Sequence, residues 1–214
     1  MLVRLRFISL ITLLFLFSSR YWAQRHVFYL HGRIVEIQGA RAVDSTNGYV
    51  AYKYDDIIDS LKKAGFIVHS EVRAKNTNAG EYAGKIKKQV DSLLKKGVNP
   101  QDITVVGASK GSYIAMLVSS YCKNSDLNFV FMASCHPDIT KEIPDLEFYG
   151  NVLSIYEKSD IIGSSCVSVK NKSKHLGHYK ELEINTGLRH GFLYKPIPQW
   201  LHPCISWAKG NYNF

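Results

Sequence analysis

The sequence predicts an α/β fold, a three-layer sandwich with a mostly parallel sheet of about six strands and helices on both faces. Three observations carry this. Short apolar runs rich in β-formers recur along the chain, amphipathic stretches at helical spacing fall between them, and glycines close several of those stretches. Strands that alternate with helices imply right-handed crossovers and hence a parallel sheet covered on both sides. The composition agrees. With 214 residues, 46% hydrophobic and 21% charged, the chain suits one ordinary domain and departs from disordered, collagen-like and disulfide-scaffold compositions.

The elements follow in order. Arg4 and Arg6 precede the apolar run 7–17 (FISLITLLFLF), which is shorter than the ~20 apolar residues a membrane span needs. A charged start before such a run reads as a secretory signal. Residues 1–23 are therefore expected to be a signal peptide and 24–214 a single domain, exported to a periplasm or secreted. An uncleaved anchor is the alternative, and only then is stable membrane insertion expected. Residues 26–31 (HVFYLH) suit a buried strand. Tyr54, Ile57, Ile58 and Leu61 mark one face of a helix over 49–64, which Gly65 stops. A strand over 66–72 leads to a second amphipathic helix over 78–96, carried by Tyr82, Ile86, Val90, Leu93 and Leu94 and closed by Gly97. Residues 103–108 (ITVVGA) form the next strand, and 110–122 a helix burying Ile114, Leu117, Val118 and Tyr121. Strands at 128–134, 151–156 and 180–185 and a helix over 198–209 complete the chain.

The net charge is +9, or +6 once Arg4, Arg6 and Arg20 are removed with the signal. The lysines (Lys62, Lys63, Lys85, Lys87, Lys88, Lys95, Lys96) are spread along helices and not interleaved with aromatics, so no nucleic-acid partner is expected. The four cysteines, Cys122, Cys135, Cys166 and Cys204, form no C-x-x-C. That disfavours thiol redox catalysis and ordinary zinc spacing. Export would permit disulfides; pairing and free buried thiols both stay open.

In open sheets of this kind, function gathers at the carboxyl ends of the strands. Strand 103–108 runs into Gly107-Ala108-Ser109-Lys110-Gly111 and directly into a helix, the setting that G-x-S-x-G needs. The sharp turn exposes the serine hydroxyl at a helix N-terminus, where free N–H groups favour developing negative charge. A nucleophilic serine needs a base, and the base an orienting acid. Asp160 follows strand 151–156, and His190 follows the last strand. Either alone has a plainer use, Asp160 as a helix cap and His190 as a structural histidine. Their order along one edge, serine, acid, histidine, favours a triad. Asp138, near His136 beyond strand 128–134, is the alternative acid, and Glu157 a further rival.

Strand 26–31 ends in His31-Gly32-Arg33. With that feature the chain, over 25–209, resembles the α/β-hydrolases, with G-x-S-x-G as nucleophile elbow, His-Gly as oxyanion loop and the order Ser, Asp, His. The resemblance implies Ser109 as nucleophile, His190 as general base and then acid, and Asp160 as the orienting carboxylate. It further implies an oxyanion hole from the backbone N–H groups of Arg33 and Lys110. No cofactor and no metal are expected. The family's usual opening hairpin is not expected before strand 26–31, and His31-Gly32-Arg33-Ile34 lacks the extra glycines of lipase-type loops. Residues 135–150 are short and polar rather than a lid. The expectation is an exported serine hydrolase with an open cleft, whose partner is a small soluble ester. A peptidase or amidase on the same triad, and a catalytically idle binding protein, are the alternatives. His175 and His178 with Cys166 lack the carboxylates of a metal cluster and are read as an exposed loop. His31 is read as structural, and Tyr49, Tyr52 and Tyr54 as packing residues, with Tyr49 near the cleft.

Overall fold

The structure is a computed structural model that describes residues 24–214. The expected signal segment, 1–23, lies outside the described residues. The strands are β1 (His26–Leu30), β2 (Ile67–His69), β3 (Ile103–Ala108), β4 (Asn128–Met132), β5 (Tyr149–Glu157) and β6 (His175–Ile184). All pair in parallel, in the order β2-β1-β3-β4-β5-β6. The helices are α1 (Arg33–Gln38), α2 (Tyr54–Lys63), α3 (Ala79–Lys95), α4 (Lys110–Cys122), α5 (Ile139–Glu142), α6 (Val167–Lys172) and α7 (Pro198–Ala208).

Every residue of β1, β3 and β4 is buried, as a parallel sheet covered on both faces requires. Side chains alternate between two cores because successive Cβ atoms point to opposite faces. Val27, Tyr29, Val106 and Val130 meet Ile57 and Leu61 of α2 and Trp200 and Trp207 of α7. Phe28, Leu30, Val105 and Phe129 meet Ile86 and Val90 of α3 and Ile114 and Val118 of α4. Burying an Ile or Leu side chain stabilises by roughly 1.5–3 kcal/mol, so the apolar stripes of α2 and α3 suffice to seat them. Asn78 starts α3 by accepting the Glu81 N–H at 3.0 Å.

Several boundaries differ from the sequence reading, each for a local reason. The helix expected over 49–64 begins only at Tyr54. Before it, Asp44 accepts the Asn47 N–H at 3.1 Å through its side chain and the Tyr49 N–H at 3.0 Å through its carbonyl, a turn that competes with helix. The strand expected over 128–134 stops at Met132 because Ala133 takes φ 53°. β6 starts at His175 rather than 180, so His175 and His178 belong to a strand and not to a loop. Short helices α1, α5 and α6, too brief to show periodicity, fill loops the sequence reading left without elements. Tyr121, expected in the core, is 42% exposed, because it sits in the last turn of α4.

Candidate active site

The elbow is built by two glycines. A Cβ on Gly107 would lie 2.4 Å from the Gly111 carbonyl oxygen, and one on Gly111 only 1.9 Å from that of Leu30. Only glycine lets α4 leave β3 so steeply while pressed against the end of β1. Ser109, at the apex, takes φ 53° and ψ −121°, a conformation non-glycine residues adopt only under constraint from their surroundings. Its N–H donates to the Met132 carbonyl at 2.9 Å, and its own carbonyl accepts the N–H groups of Ser112 and Tyr113 at 2.8 and 3.0 Å.

The structure brings Ser109, His190 and Asp160 together. The Ser109 Oγ lies 2.9 Å from His190 Nε2, and Asp160 Oδ2 lies 2.7 Å from His190 Nδ1. A carboxylate accepts only, so Nδ1 carries the proton and Nε2 is left to accept from the serine hydroxyl. The Asp160 side chain is 1% exposed and that of His190 10%. The other Asp160 oxygen accepts the Ile162 N–H at 2.9 Å. The carboxylate thus closes its own turn as well as orienting the imidazole, whereas the next helix begins only at Val167. Asp138, the alternative acid, is instead an exposed partner of Lys141 at 2.7 Å.

Arg33 and Lys110 are the first residues of α1 and α4, where backbone N–H groups have no intrahelical acceptor. A Cβ on Gly32 would come within 3.6 Å of the Ser109 Cβ, which places the turn into α1 directly beside the serine. His31 is fully buried. Its Nε2 accepts the Arg73 N–H at 3.0 Å, so its Nδ1–H donates to the Gly32 carbonyl at 2.8 Å. Burial, helped by the Arg73 charge, lowers its pKa to about 4.

Glu157, the further rival, bonds not His190 but the loops on either side of it. It is 1% exposed and accepts four hydrogen bonds. Oε2 receives the Thr186 N–H and hydroxyl at 2.8 and 2.7 Å, and Oε1 the Ser159 N–H and hydroxyl at 3.3 and 3.0 Å. Burial pushes this carboxyl up, but the donors outweigh it and hold the pKa below the ordinary carboxylate value. The Ser159 oxygen also accepts the Arg189 N–H at 3.2 Å, so Glu157 joins the Asp160 loop to the His190 loop. A charged residue at the end of a buried strand must find donors; that signal was present in the sequence and marks a scaffold as readily as a catalyst. Glu36 and the side chain of Lys110, of which only the backbone N–H was singled out, were also passed over. Their side chains meet at 2.6 Å, and Glu36 pairs further with Arg73 at 3.3 Å.

Cys135 and Cys166 form a disulfide that ties the segment after β4 to the start of α6, while Cys122 and Cys204 are free. The Ser164 N–H donates to the Cys135 carbonyl at 2.7 Å, and Gly163 packs where a Cβ would meet the Ala133 Cα at 2.4 Å. The loop bearing Asp160 is pinned at its far end. His175 stacks on Tyr149 and His178 on Tyr212, and among the described residues no three His, Cys, Asp or Glu side chains gather as a metal site. Tyr52 bonds Tyr29 through its hydroxyl at 2.7 Å and Tyr54 bonds Ser70 at 2.8 Å. Tyr49 packs on Tyr194 and under Arg189, beside His190. A cleft of about 490 Å³ opens over Ser109 and His190, walled by Ile34, Ile37, Ile162 and Leu193 with Tyr52 and Tyr194.

The parallel sheet, the strand order and the loops that carry these residues define an α/β-hydrolase fold, and solved structures agree. SOBER1 of Arabidopsis thaliana superposes with a TM-score of 0.57 at 10% identity, covering 88% of this chain and 99% of that one. An esterase of the fungus Rhizomucor miehei gives 0.53 at 16% identity, covering 88% and 75%. MGS-MChE2, an α/β-hydrolase enzyme from the metagenome of Mar Chica lagoon sediments in Morocco, gives 0.54 at 16%, covering 87% and 91%. No family model and no curated protein matches the sequence.

Proposed function

We propose that the protein is a serine hydrolase that cleaves small soluble carboxylic esters through an acyl-enzyme. The observation that carries this reading is the unbroken chain from the Ser109 Oγ through His190 to the buried Asp160, at 2.9 and 2.7 Å. In the first step Ser109 attacks the ester carbonyl while His190 Nε2 takes its proton, and Asp160 stabilises the imidazolium. The N–H groups of Arg33 and Lys110 receive the oxyanion. His190 then protonates the departing alcohol, and a water activated by the same imidazole releases the acid. The apolar walls of the cleft suit a short acyl chain. The segment between β4 and β5 carries only the four-residue helix α5, which favours soluble substrates over ones delivered beneath a lid. A disulfide between Cys135 and Cys166 fits export to an oxidising compartment.

The test is stoichiometric labelling of residues 24–214 by a fluorophosphonate, followed by turnover of p-nitrophenyl acetate. Both are expected in the wild type and absent in Ser109→Ala, with the thermal midpoint kept. Folded wild-type protein that takes up no label would overturn the reading.

A further inference from the structure

The two N–H groups assigned to the oxyanion start different helices, and each helix leaves its strand through a turn. β1 and β3 are neighbours, with Leu30 opposite Gly107, which brings the turns together without fixing how the two peptide planes face each other. A continuous side-chain network does that. Lys110 Nζ donates to Glu36 Oε1 at 2.6 Å and to the Thr77 carbonyl at 2.8 Å. Glu36 Oε1 also accepts the Thr77 N–H at 3.2 Å, and its Oε2 accepts from Arg73 Nε at 3.3 Å. Arg73 Nη2 donates to the His31 carbonyl, the Arg73 N–H reaches His31 Nε2, and the His31 Nδ1–H holds the Gly32 carbonyl. The Gly32 carbonyl and the Arg33 N–H belong to one planar peptide unit, so holding the oxygen aims the N–H. The path therefore runs from the residue that supplies one donor to the peptide that supplies the other.

We propose that Glu36, Arg73 and the Lys110 side chain are positioning residues that hold the two oxyanion donors in register; this rests on the serine-hydrolase reading above. Their burial argues for a geometric role. Glu36 is 4% and Arg73 2% exposed, and Arg73 Nη1 has no hydrogen-bond partner among the described residues. Buried charge clusters are weak sources of stability, and a missing partner makes them weaker still. Neutral His31 adds no charge, so two cations and one anion lie behind the hole. A cluster of that charge has a second possible use, through its positive field alone. Glu36→Gln separates the two roles: it makes the cluster more positive, while its single carbonyl oxygen can serve Lys110 and Thr77 or Arg73 but not both, so the path between the two donors is broken.

The experiment measures kcat and KM for a soluble ester, and the affinity for a trifluoromethyl ketone whose adduct puts an oxyanion in the hole. Lys110→Met is expected to lower kcat about 10- to 100-fold with KM within about twofold, and to weaken the ketone by the same factor, because misplaced donors fail in the transition state and not in the ground state. Glu36→Gln should also be slower, and Lys110→Arg, which keeps charge and reach, should recover most of the rate. Folded Lys110→Met and Glu36→Gln with kcat/KM near that of wild type overturn the inference. A Glu36→Gln faster than wild type overturns it too, in favour of the field. Should Glu36→Gln fail to fold, Glu36→Asp decides: it keeps the charge and shortens the reach to Lys110 and Arg73, so a slower enzyme supports the tether and a wild-type rate overturns it. Wild-type protein that neither turns over ester nor labels at Ser109 overturns the underlying hydrolase reading instead.

Discussion

Replacing Glu157 by Gln changes one oxygen to NH2 at a site where four donors converge on two oxygens. A Gln carbonyl can serve the Thr186 pair or the Ser159 pair, and the other pair then faces a donor. The hydroxyl of that pair can turn and accept, but its backbone N–H is left without an acceptor. An orphaned buried donor costs about 1–3 kcal/mol, and the surviving bonds lose their charge assistance, so a loss of about 3 kcal/mol is expected at pH 7. The pH dependence has a definite sign. The folded pKa of Glu157 is depressed, so its contribution is present above the unfolded value of ~4.3 and is lost as pH falls through the folded value. Urea unfolding of both proteins should therefore show a gap that is constant above about pH 5 and closes in acid. Because Ser159 links Glu157 to the Arg189 N–H, the variant should also lose roughly 100-fold in kcat by misplacing His190. A gap under about 0.5 kcal/mol, within the range of ordinary surface substitutions, or one that does not narrow in acid, refutes this joining of the two loops.

Gly111→Ala should destabilise by about 3 kcal/mol or more in thermal unfolding, since its Cβ would lie 1.9 Å from the Leu30 oxygen. Gly32→Ala, whose nearest neighbours are at 3.6 and 3.7 Å, should leave the midpoint nearly unchanged. His31, with its pKa lowered to about 4, destabilises the fold in acid: the unfolded chain takes up the proton first, so stability falls by about 3 kcal/mol from pH 6.5 to 4. NMR of its imidazole should show the neutral ring down to about pH 4. Replacing both Cys135 and Cys166 by Ser should cost about 3–4 kcal/mol by the loop-entropy argument for a separation of 31 residues, and should lower kcat through the loosened Asp160 loop.

Much of the fold was legible in the sequence because a doubly covered parallel sheet leaves its pattern in nearly every strand. The runs around Phe28, Val105 and Phe129 have no other use. The loops that would hold a triad were legible for a related reason, since the strand ends locate them and Ser109, Asp160 and His190 each follow one. Boundaries set by side-chain-to-backbone bonds were not, as at Asp44, where one carboxylate delays a helix that the periodicity of Ile57 and Leu61 extends too far. Nor were the supporting networks. Glu36, Arg73 and Lys110 are separated by 37 residues or more along the chain, and nothing local in charge or spacing announces that they meet. Glu157 was visible as a carboxylate at the right edge, yet only its four donors show that it joins two loops.

The chain order divides the site in two. Everything that would bind the oxyanion and attack the carbonyl comes from β1, β3 and the helices that follow them, whereas Asp160 and His190 arrive after β5 and β6. The stretch 141–145, exposed except at half-buried Ile143, lies between these halves, so cleavage there would yield a fragment holding the nucleophile and one holding the base, each inert by itself. Cys135 falls in the first and Cys166 in the second. A nicked molecule would thus travel as one species on a non-reducing gel and as two on a reducing one, and the disulfide makes the protein tolerant of a protease that finds this loop.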